Sequence, residues 1–329
     1  MKDEHLRADY ADLTPDQILS SVESLGLVTD GRILALNSYE NRVYQIGIEE
    51  AEPLIAKFYR PGRWSDEQIQ EEHDFCYELR DSDLPAVPPM VINTKSLHCF
   101  EGYRFSLFPR RGGREGDMDN PQNLAQLGRY LGRMHVAGAA SDFQFRPHID
   151  IRTYGEDSVA LLADKFIPNS LKDSYQSLAE DILELIRTRM SETGEVSFIR
   201  CHGDCHAGNI LWREGEPNFV DFDDARMAPA IQDLWMLLSG TREEQESQLG
   251  LVVDAYEQFG SFDDSQLNLI EPLRTLRIMH YAAWLARRWD DPAFPMAFPW
   301  FNTERYWGQH ILELREQMAA LQEPPLRVI

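Results

Sequence analysis

Residues 200–224 read RCHGDCHAGNILWREGEPNFVDFDD, and the first ten of them form the densest polar cluster in the sequence. It begins as a polar loop, continues as a short apolar run, turns, and reaches a second apolar run that ends in several aspartates. Two short strands joined by a turn form a hairpin, which can bring Asp204 and Asp221 within several ångströms of each other. Asn209 and Asp221 offer the hard oxygen ligands that suit Mg²⁺, an ion that leaves room for phosphate oxygens. The stretch therefore predicts a divalent-metal site that handles a phosphorylated ligand.

Up to about residue 108 the chain is predicted to be mostly strands, and beyond that point it is mostly helices on both sides of this stretch. Thr14 and Pro15 predict the start of a helix that ends at Gly26. Ser65 predicts the cap of another helix, which runs to about Leu79. β-rich runs predict strands at 33–48 (a hairpin around the polar turn 37–41), 54–59, 97–100 and 103–108. Helical patterns follow at 121–138, 171–190, 230–239, 243–259, 264–289 and 303–322.

The composition changes at a connector, residues 109–114, that contains two glycines and three arginines. We therefore predict three parts, with a hinge at about 107–113. They are an N-terminal helical extension at 1–30, a strand-rich lobe at 31–108 and a helical lobe at 109–329. This organisation is typical of an α+β fold with two lobes.

Charge and composition exclude several classes of protein. The chain has 329 residues and a formal net charge of −23. Its hydrophobic residues, 43 % of the total, can fill a core, which excludes disorder as the main state. Because a surface this acidic repels nucleic-acid phosphates and anionic lipid, we expect neither nucleic acid nor a membrane as a partner. We find no secretory signal, no membrane span and no disulfide framework, and together these features predict a cytoplasmic protein.

Two segments carry a family resemblance. HGDCHAGN at 202–209 and VDFD at 220–223 resemble the catalytic and metal segments of the aminoglycoside phosphotransferase/choline kinase family. The resemblance implies a bilobal protein-kinase-like fold, with a small antiparallel-sheet N-lobe and a larger, mainly helical C-lobe. Finer features resemble the bacterial serine/threonine protein kinases of that superfamily; they are NSYENRVYQ at 37–45, KFYRP at 57–61, LWR at 211–213 and QDLWML at 232–237.

The resemblance implies a role for each polar residue of the opening stretch. Asp204 would accept the proton of the attacking hydroxyl or orient that hydroxyl, and Asn209 and Asp221 would hold Mg²⁺ against the phosphates of ATP. We therefore assign Asp204 and Asp221 as catalytic residues, and Asn209 and Asp221 as metal ligands. Asp233 resembles the helix aspartate that steadies the backbone of the catalytic loop.

The strand-rich lobe would supply the remaining nucleotide contacts. Lys57, on the third strand, would reach the α- and β-phosphates and be held by a carboxylate from the next helix. Glu72 is the chosen partner because Leu79 follows it by seven residues, and Glu71 is the alternative. Ser38 lies in the turn that would close over the phosphates. That turn contains no glycine, so either backbone amides or the Ser38 hydroxyl would meet the phosphate.

The sequence leaves three functions open. The first is an ATP- and Mg²⁺-dependent serine/threonine protein kinase that also phosphorylates itself, for which the resemblance implies a role in the stress response. The second is a kinase for an amine- or hydroxyl-bearing metabolite, since most relatives with the HGD…N signature act on small molecules. The third is an inactive ATP-binding scaffold, which the presence of Lys57, Asp204, Asn209 and Asp221 disfavours. The protein is expected to be a monomer or a homodimer.

A soft-metal site is a further alternative for the polar loop. Cys201, His202, Cys205 and His206 are residue types that bind zinc. Glycines within the loop disfavour the helix that would align them, and zinc would not explain Asn209 or Asp221. We therefore expect the two cysteines to be packing residues and His202 to hydrogen-bond the backbone.

Overall fold

The computed structural model describes residues 6, 9–36 and 38–328. They form two compact units. The first contains the described residues up to Asp117 together with Phe143–Arg146 and His206–Ala225, and the second contains the remainder. The lobe boundaries and the hinge inferred from the sequence stay a proposal. The predicted extension at 1–30 and the predicted turn at 37–41 each include residues outside the described ranges, namely 1–5, 7, 8 and Asn37.

The first unit contains a five-stranded antiparallel sheet with the strand order β1-β2-β3-β5-β4. The strands are β1 (Thr29–Ala35), β2 (Arg42–Ile48), β3 (Leu54–Phe58), β4 (His98–Phe100) and β5 (Tyr103–Pro109). Helix α1 (Pro15–Glu23) begins with a capping box between Thr14 and Gln17 and contributes Ile18 and Val22 to the core of the sheet. Each of these elements is predicted by the sequence, with differences of a few residues at the ends.

Helix α2 (Asp66–Asp81) follows β3, and Ser65 caps it through a second capping box with Gln68. Its apolar residues recur at helical spacing, and Ile69, Phe75 and Leu79 are fully buried. Glu72 lies on the same buried face and is 2 % exposed. Because a buried carboxylate needs compensating partners, its position already indicates that cations lie nearby.

The hairpin predicted within 200–224 is confirmed. Strands β8 (Ile210–Arg213) and β9 (Glu216–Phe219) pair antiparallel, and a short strand that the sequence did not predict, β6 (Arg114–Glu115), adds to the edge of β8. Two backbone hydrogen bonds attach the hairpin to the segment after α2, from Phe219 N to Pro85 O at 2.8 Å and from Val87 N to Phe219 O at 3.3 Å. This hairpin sets the positions of the residues on either side of it.

The second unit is mainly helical. Its helices are α3 (Pro121–Gly138), α4 (Asp157–Lys165), α5 (Asn169–Thr193), α6 (Ile231–Trp235), α7 (Arg242–Tyr256), α8 (Ile270–Arg287), α9 (Ala293–Ala297) and α10 (Glu304–Ala320). Strands β7 (Ile199–Cys201) and β10 (Arg226–Ala228) form a small antiparallel pair. Helices α3 and α7 pack closely because Gly128 and Gly132 of α3 face α7, and a Cβ atom at either position would overlap a backbone carbonyl of α7.

Several helix limits differ from the prediction. The segment predicted as helix at 230–239 is helical only over Ile231–Trp235, and the segment at 264–289 begins as a 3₁₀ helix, Asp264–Leu269, before α8. Helix α4, which follows a π-helical turn, and the five-residue α9 are not predicted. Short elements of this kind depend on packing more than on periodicity. Among the described helices, none is long and apolar enough to cross a membrane.

Candidate active site

A cavity of about 350 Å³ lies within the first unit. Its lining includes five of the residues predicted from the sequence, which are Ser38, Lys57, Glu72, Asn209 and Asp221. The remaining wall is largely apolar and contains Leu36, Val43, Ile55, Val87, Phe108 and Leu211. Polar groups that converge in an otherwise apolar cavity of this size are typical of a small-molecule site.

Lys57 lies at the charged end of this cavity. It is the second-last residue of β3, where its neighbours across the sheet are Val43 and Ser106. Its Nζ lies 3.3 Å from Glu72 Oε1, 3.1 Å from Asp221 Oδ1 and 3.0 Å from Asp223 Oδ1. Burial alone would lower the pKa of Lys57, but these carboxylates outweigh burial and hold the pKa well above its ordinary value. Lys57 is therefore a buried, charged ammonium group.

Of the two candidate carboxylates on α2, Glu72 contacts Lys57. Its second oxygen, Oε2, accepts a hydrogen bond of 3.0 Å from Arg146 Nη2. Burial raises the pKa of Glu72, and Lys57 and Arg146 oppose that rise. Glu71 points elsewhere and accepts backbone N–H groups from Gln144 and Phe145 at 2.5 and 3.0 Å.

The predicted metal ligands lie on either side of the β8–β9 hairpin. The backbone N–H of Val220 donates to the carbonyl of Asn209 at 3.0 Å, which joins the two segments. Asp221 adopts a left-handed conformation with φ 60°, one that aspartate tolerates better than most residues. Its side chain is 50 % exposed, whereas Phe222 is buried and packs edge-to-face on Phe75 of α2. The backbone thus presents the Asp221 carboxylate while the next residue anchors the loop.

Asp223 is a member of the site that sequence reasoning missed. It is buried, and Arg63 Nη1 contacts its Oδ2 while Lys57 contacts its Oδ1. Burial would raise the pKa of Asp223, but Arg63 and Lys57 overcome that effect and lower the pKa to about 2. The VDFD motif was a usable signal, since it places a second aspartate two residues after Asp221.

We expect the contribution of Asp223 to stability to be lost in acid. Because its pKa is lowered on folding, the stabilisation is fully present above the unfolded pKa, near 3.8, and falls as the pH approaches 2. The shift corresponds to on the order of 2 kcal/mol. Urea unfolding of the wild type and of Asp223→Asn should give a stability difference that shrinks by roughly half between pH 7 and pH 3. A difference that is the same at both pH values would contradict this. Asp74→Asn, on the exposed face of α2, is the control.

Side chains hold the glycine-free turn before β2. Arg60 donates from Nη2 to the carbonyl of Tyr39 at 3.0 Å and from Nε to the carbonyl of Glu40 at 2.7 Å. The buried Asn41 accepts the backbone N–H of Arg60 at 3.0 Å. Ser38 lines the cavity at the start of this turn. Hydrogen bonds of the Arg60 and Asn41 side chains thus hold the backbone of this turn at residues 39–41. A glycine-rich loop has no such side chains and keeps a flexible backbone.

Asp204 belongs to the second unit. Its Oδ1 lies 2.5 Å from Nη1 of Arg277 on α8, and its backbone N–H donates to His202 Nδ1 at 3.4 Å. Asp233 accepts the backbone N–H groups of His202 and Gly203 at 2.8 and 2.9 Å, in the supporting role expected of it. The approach of Asp204 to Asp221 that the hairpin suggested stays a prediction.

Cys201 and Cys205 are fully buried, and burial raises the pKa of both thiols well above the ordinary value. They are packing residues, as expected. Within the described part of the chain, one group of His, Cys, Asp or Glu side chains has ligand atoms close enough to hold a metal; it consists of His135, Cys201 and Asp233. It contains only one of the four residues considered for zinc. Its aspartate is already engaged by backbone N–H groups and by His135 Nε2 at 3.2 Å.

The model of the phosphotransferase enzyme family (APH) matches residues 32–269, a range that includes parts of both units and every predicted site residue. The chain belongs to the phosphotransferase enzyme family. Stress response kinase A of Escherichia coli strain K12 is 44 % identical over 320 residues, which cover 97 % of each chain. Serine/threonine protein kinase RdoA of Salmonella typhimurium strain LT2 is similar to the same extent, with 44 % identity over 97 % of each chain.

Solved structures of other phosphotransferases share the fold. Amicoumacin kinase hAmiN, solved in complex with AMP-PNP, Ca²⁺ and Ami, superimposes with a TM-score of 0.72 at 19 % identity over 95 % of each chain. The microcompartment-associated aminopropanol kinase gives a TM-score of 0.71 at 16 % identity over 97 % of this chain and 100 % of its own. The predicted α+β, protein-kinase-like fold is confirmed. The phosphotransferase family therefore includes this chain by both sequence and fold.

Proposed function

We propose that this phosphotransferase is an ATP- and Mg²⁺-dependent serine/threonine protein kinase that also phosphorylates itself. The observation that carries the proposal is the contact of Lys57 with Glu72 and Asp221 inside the cavity of the first unit. Phosphoryl transfer needs a cation at the phosphates, a carboxylate that holds that cation and an acidic metal ligand, and these three groups meet here. The apolar wall suits a purine base.

The donor set fits Mg²⁺. Asp221 and Asn209 offer oxygen atoms to the cavity, and the half-exposed Asp221 carboxylate keeps room for water and phosphate oxygens as ligands. When bound, the metal would neutralise charge on the transferred phosphoryl group. Lys57, whose charge is secured by three carboxylates, would bind the α- and β-phosphates. Ser38 would contribute its hydroxyl or the N–H groups of its turn.

Asp204 would act on the acceptor. The hydroxyl oxygen of the acceptor forms a bond to the γ-phosphorus of ATP, the bond from that phosphorus to the β–γ bridging oxygen breaks, and ADP leaves. The hydroxyl proton passes to the Asp204 carboxylate. Asp233, through the backbone of residues 202 and 203, holds the loop that carries this carboxylate.

The nature of the acceptor separates this proposal from the second candidate, a small-molecule kinase. The relatives named stress response kinase A and serine/threonine protein kinase RdoA favour a protein acceptor, whereas two structural neighbours are named as kinases of amicoumacin and of aminopropanol. Arg277 adds a physical argument. Its guanidinium lies against the proposed base, so an ammonium group brought to the same carboxylate would meet a like charge.

We expect Arg277→Gln to change selectivity between acceptors. Two like charges about 6 Å apart, at an effective dielectric constant near 20, repel by roughly 2–3 kcal/mol, which screening at this partly exposed site reduces. Serine peptides that differ only in a lysine or a glutamine beside the serine measure the effect. The wild type should prefer the glutamine peptide, and the variant should reduce that preference about 10-fold in kcat/KM. An unchanged ratio would contradict the argument. Arg305→Gln, a change of an exposed arginine in the same unit, is the control.

The function itself is tested by following radiolabelled phosphate from Mg-ATP onto the protein, onto candidate proteins and onto a panel of metabolites. Label on serine or threonine, mapped by mass spectrometry and absent when EDTA is added before Mg-ATP, supports the proposal. Label found solely on a metabolite favours the second candidate, and no transfer or hydrolysis favours an inactive scaffold.

We further propose a cytoplasmic location and a role in the stress response. Native mass measurement distinguishes a monomer from a homodimer.

A further inference from the structure

Arg146 is a buried arginine whose side chain donates hydrogen bonds to two separate segments of the first unit, helix α2 and the backbone of residues 223–225. It is 3 % exposed and lies in Phe143–Arg146, the short segment that returns to this unit. Its Nε donates to the carbonyl of Gln68 in α2 at 2.7 Å, and Nη1 donates to the carbonyls of Asp223 and Ala225 at 3.0 and 2.7 Å. Its Nη2 donates to Glu72. The guanidinium therefore joins α2 to the backbone just after the metal ligand Asp221.

Two further contacts hold Arg146 in place. Its guanidinium carbon lies 4.8 Å from the centre of the Trp64 ring, a cation–π distance. The backbone N–H of Arg146 donates to Glu71 Oε2 at 2.8 Å, and Gln144 and Phe145 donate to the same carboxylate. The two adjacent glutamates of α2 therefore bind different groups. Glu71 accepts the backbone N–H groups of residues 144–146, and Glu72 accepts the side chain of Arg146.

The bonding pattern needs the geometry of arginine. The planar guanidinium directs donors at a carboxylate and at three carbonyls at once, and the compact ammonium of a lysine could satisfy only part of that set. A fully buried cation with all of these partners is stable, whereas removal of the guanidinium would leave Glu72 with Lys57 alone and the carbonyls of residues 223 and 225 without this donor. The arrangement therefore fixes both the carboxylate that holds Lys57 and the loop that carries Asp221.

We infer that Arg146 is a positioning residue for nucleotide and metal binding, and that it assembles the Lys57–Glu72 pair without phosphorylation of the chain. In protein kinases the equivalent lysine–glutamate pair depends on the placement of the glutamate helix, which activation-loop phosphorylation controls. Here that helix is fastened by side chains that are present in the unmodified protein. The inference rests on the proposed phosphotransferase site but concerns its regulation.

The test compares Arg146→Gln and Arg146→Lys with the wild type. We expect Arg146→Gln to raise the KM for ATP and the Mg²⁺ concentration for half-maximal rate about 10-fold each, and Arg146→Lys to recover part of both. A merely structural role would reduce the active fraction and hence kcat, but it would leave these two concentrations unchanged. Arg104→Gln is a matched control, because Arg104 is also buried and also bonds to α2, through the exposed Asp66 at 2.8 Å. Its values for both concentrations should stay within 2-fold of the wild type.

Two measurements keep the outcomes distinguishable. Calorimetric binding of Mg-ATP needs no acceptor, so a 10-fold weaker affinity of Arg146→Gln supports the inference even if the proposed acceptor is incorrect. Treatment of the wild type with a phosphatase should change its rate by less than 2-fold. A large loss of rate after that treatment, or unchanged ATP and Mg²⁺ parameters in a folded Arg146→Gln or Arg146→Lys, would overturn the inference.

Discussion

Asp204→Asn should lower the rate of phosphoryl transfer about 1000-fold while ATP still binds. Asparagine keeps the shape of the side chain and its contact distance to Arg277 but cannot accept the proton of the acceptor hydroxyl. General bases contribute roughly 10²- to 10⁴-fold, so the loss should be near the middle of that range. The measurement is the initial rate of label transfer from Mg-ATP, together with the Kd for Mg-ATP by calorimetry.

The binding measurement separates the loss of a catalytic base from a loss of ATP binding. The residues that line the cavity proposed to bind ATP do not include Asp204, so the Kd should change by less than about 3-fold. Asp173→Asn, an exposed aspartate of α5 in the same unit, should keep both the rate and the Kd of the wild type. If Asp204→Asn turned over at the wild-type rate, Asp204 could not be the base.

Lys57→Met should lower both activity and stability, since Lys57 serves the ligand and the fold. Loss of the cation at the phosphates should cost on the order of 100-fold in kcat/KM. The change also removes the ammonium between Glu72 and Asp223, two carboxylates that are less than 4 % exposed. Breaking a buried ion pair of this kind costs about 3 kcal/mol, which for a unit of this size lowers the Tm by roughly 6–12 °C. Differential scanning calorimetry without nucleotide measures the shift.

The stability loss of Lys57→Met should depend on pH in a defined direction. Burial already raises the pKa of Glu72, and removal of Lys57 should raise it further. The folded variant would then bind a proton more readily than the unfolded chain, so its deficit relative to the wild type should shrink as the pH falls from 7 to 5. Lys95→Met, at an exposed lysine of the same unit, should not change the Tm. A Lys57→Met protein with wild-type stability would mean that the buried carboxylates do not depend on this ammonium.

The elements of the fold are largely predictable from local patterns. Helix α2 shows why, because Ser65 and Gln68 form its cap from residues three positions apart and its apolar face repeats at helical spacing. Elements with few residues of their own are different. Strand β6 has two residues and exists because β8 offers an edge, and α9 has five residues, too few for a periodic signal. Nothing within such short segments specifies them.

The side chains of the site could likewise be predicted only where a local sequence pattern marks them. Ser38, Lys57, Asn209 and Asp221 could be predicted because each lies in a recognisable motif, and Glu72 from its spacing to Leu79. The structure places all five around one cavity. Arg63 and Arg146 could not, since Arg63 contacts Asp223 from 160 positions away and Arg146 contacts Glu72 from 74 positions away. A contact over that separation leaves no local pattern. The spacing to Leu79 favoured Glu72 over Glu71, and in the structure Glu72 contacts Lys57 because the packing of α2 turns the two adjacent residues to different neighbours.

The side-chain bonds of the turn before β2 have a consequence for inhibitors. A flexible glycine-rich loop can collapse onto many differently shaped compounds, whereas the carbonyls of Tyr39 and Glu40 are already held by Arg60 before any ligand arrives. This turn should therefore keep nearly the same shape with and without a ligand. A compound that fits it then binds without the entropic cost of ordering the turn. Rigid compounds that fit this turn should therefore bind this protein more tightly than they bind kinases with glycine-rich loops, because a mobile loop must first be ordered and this turn is already held.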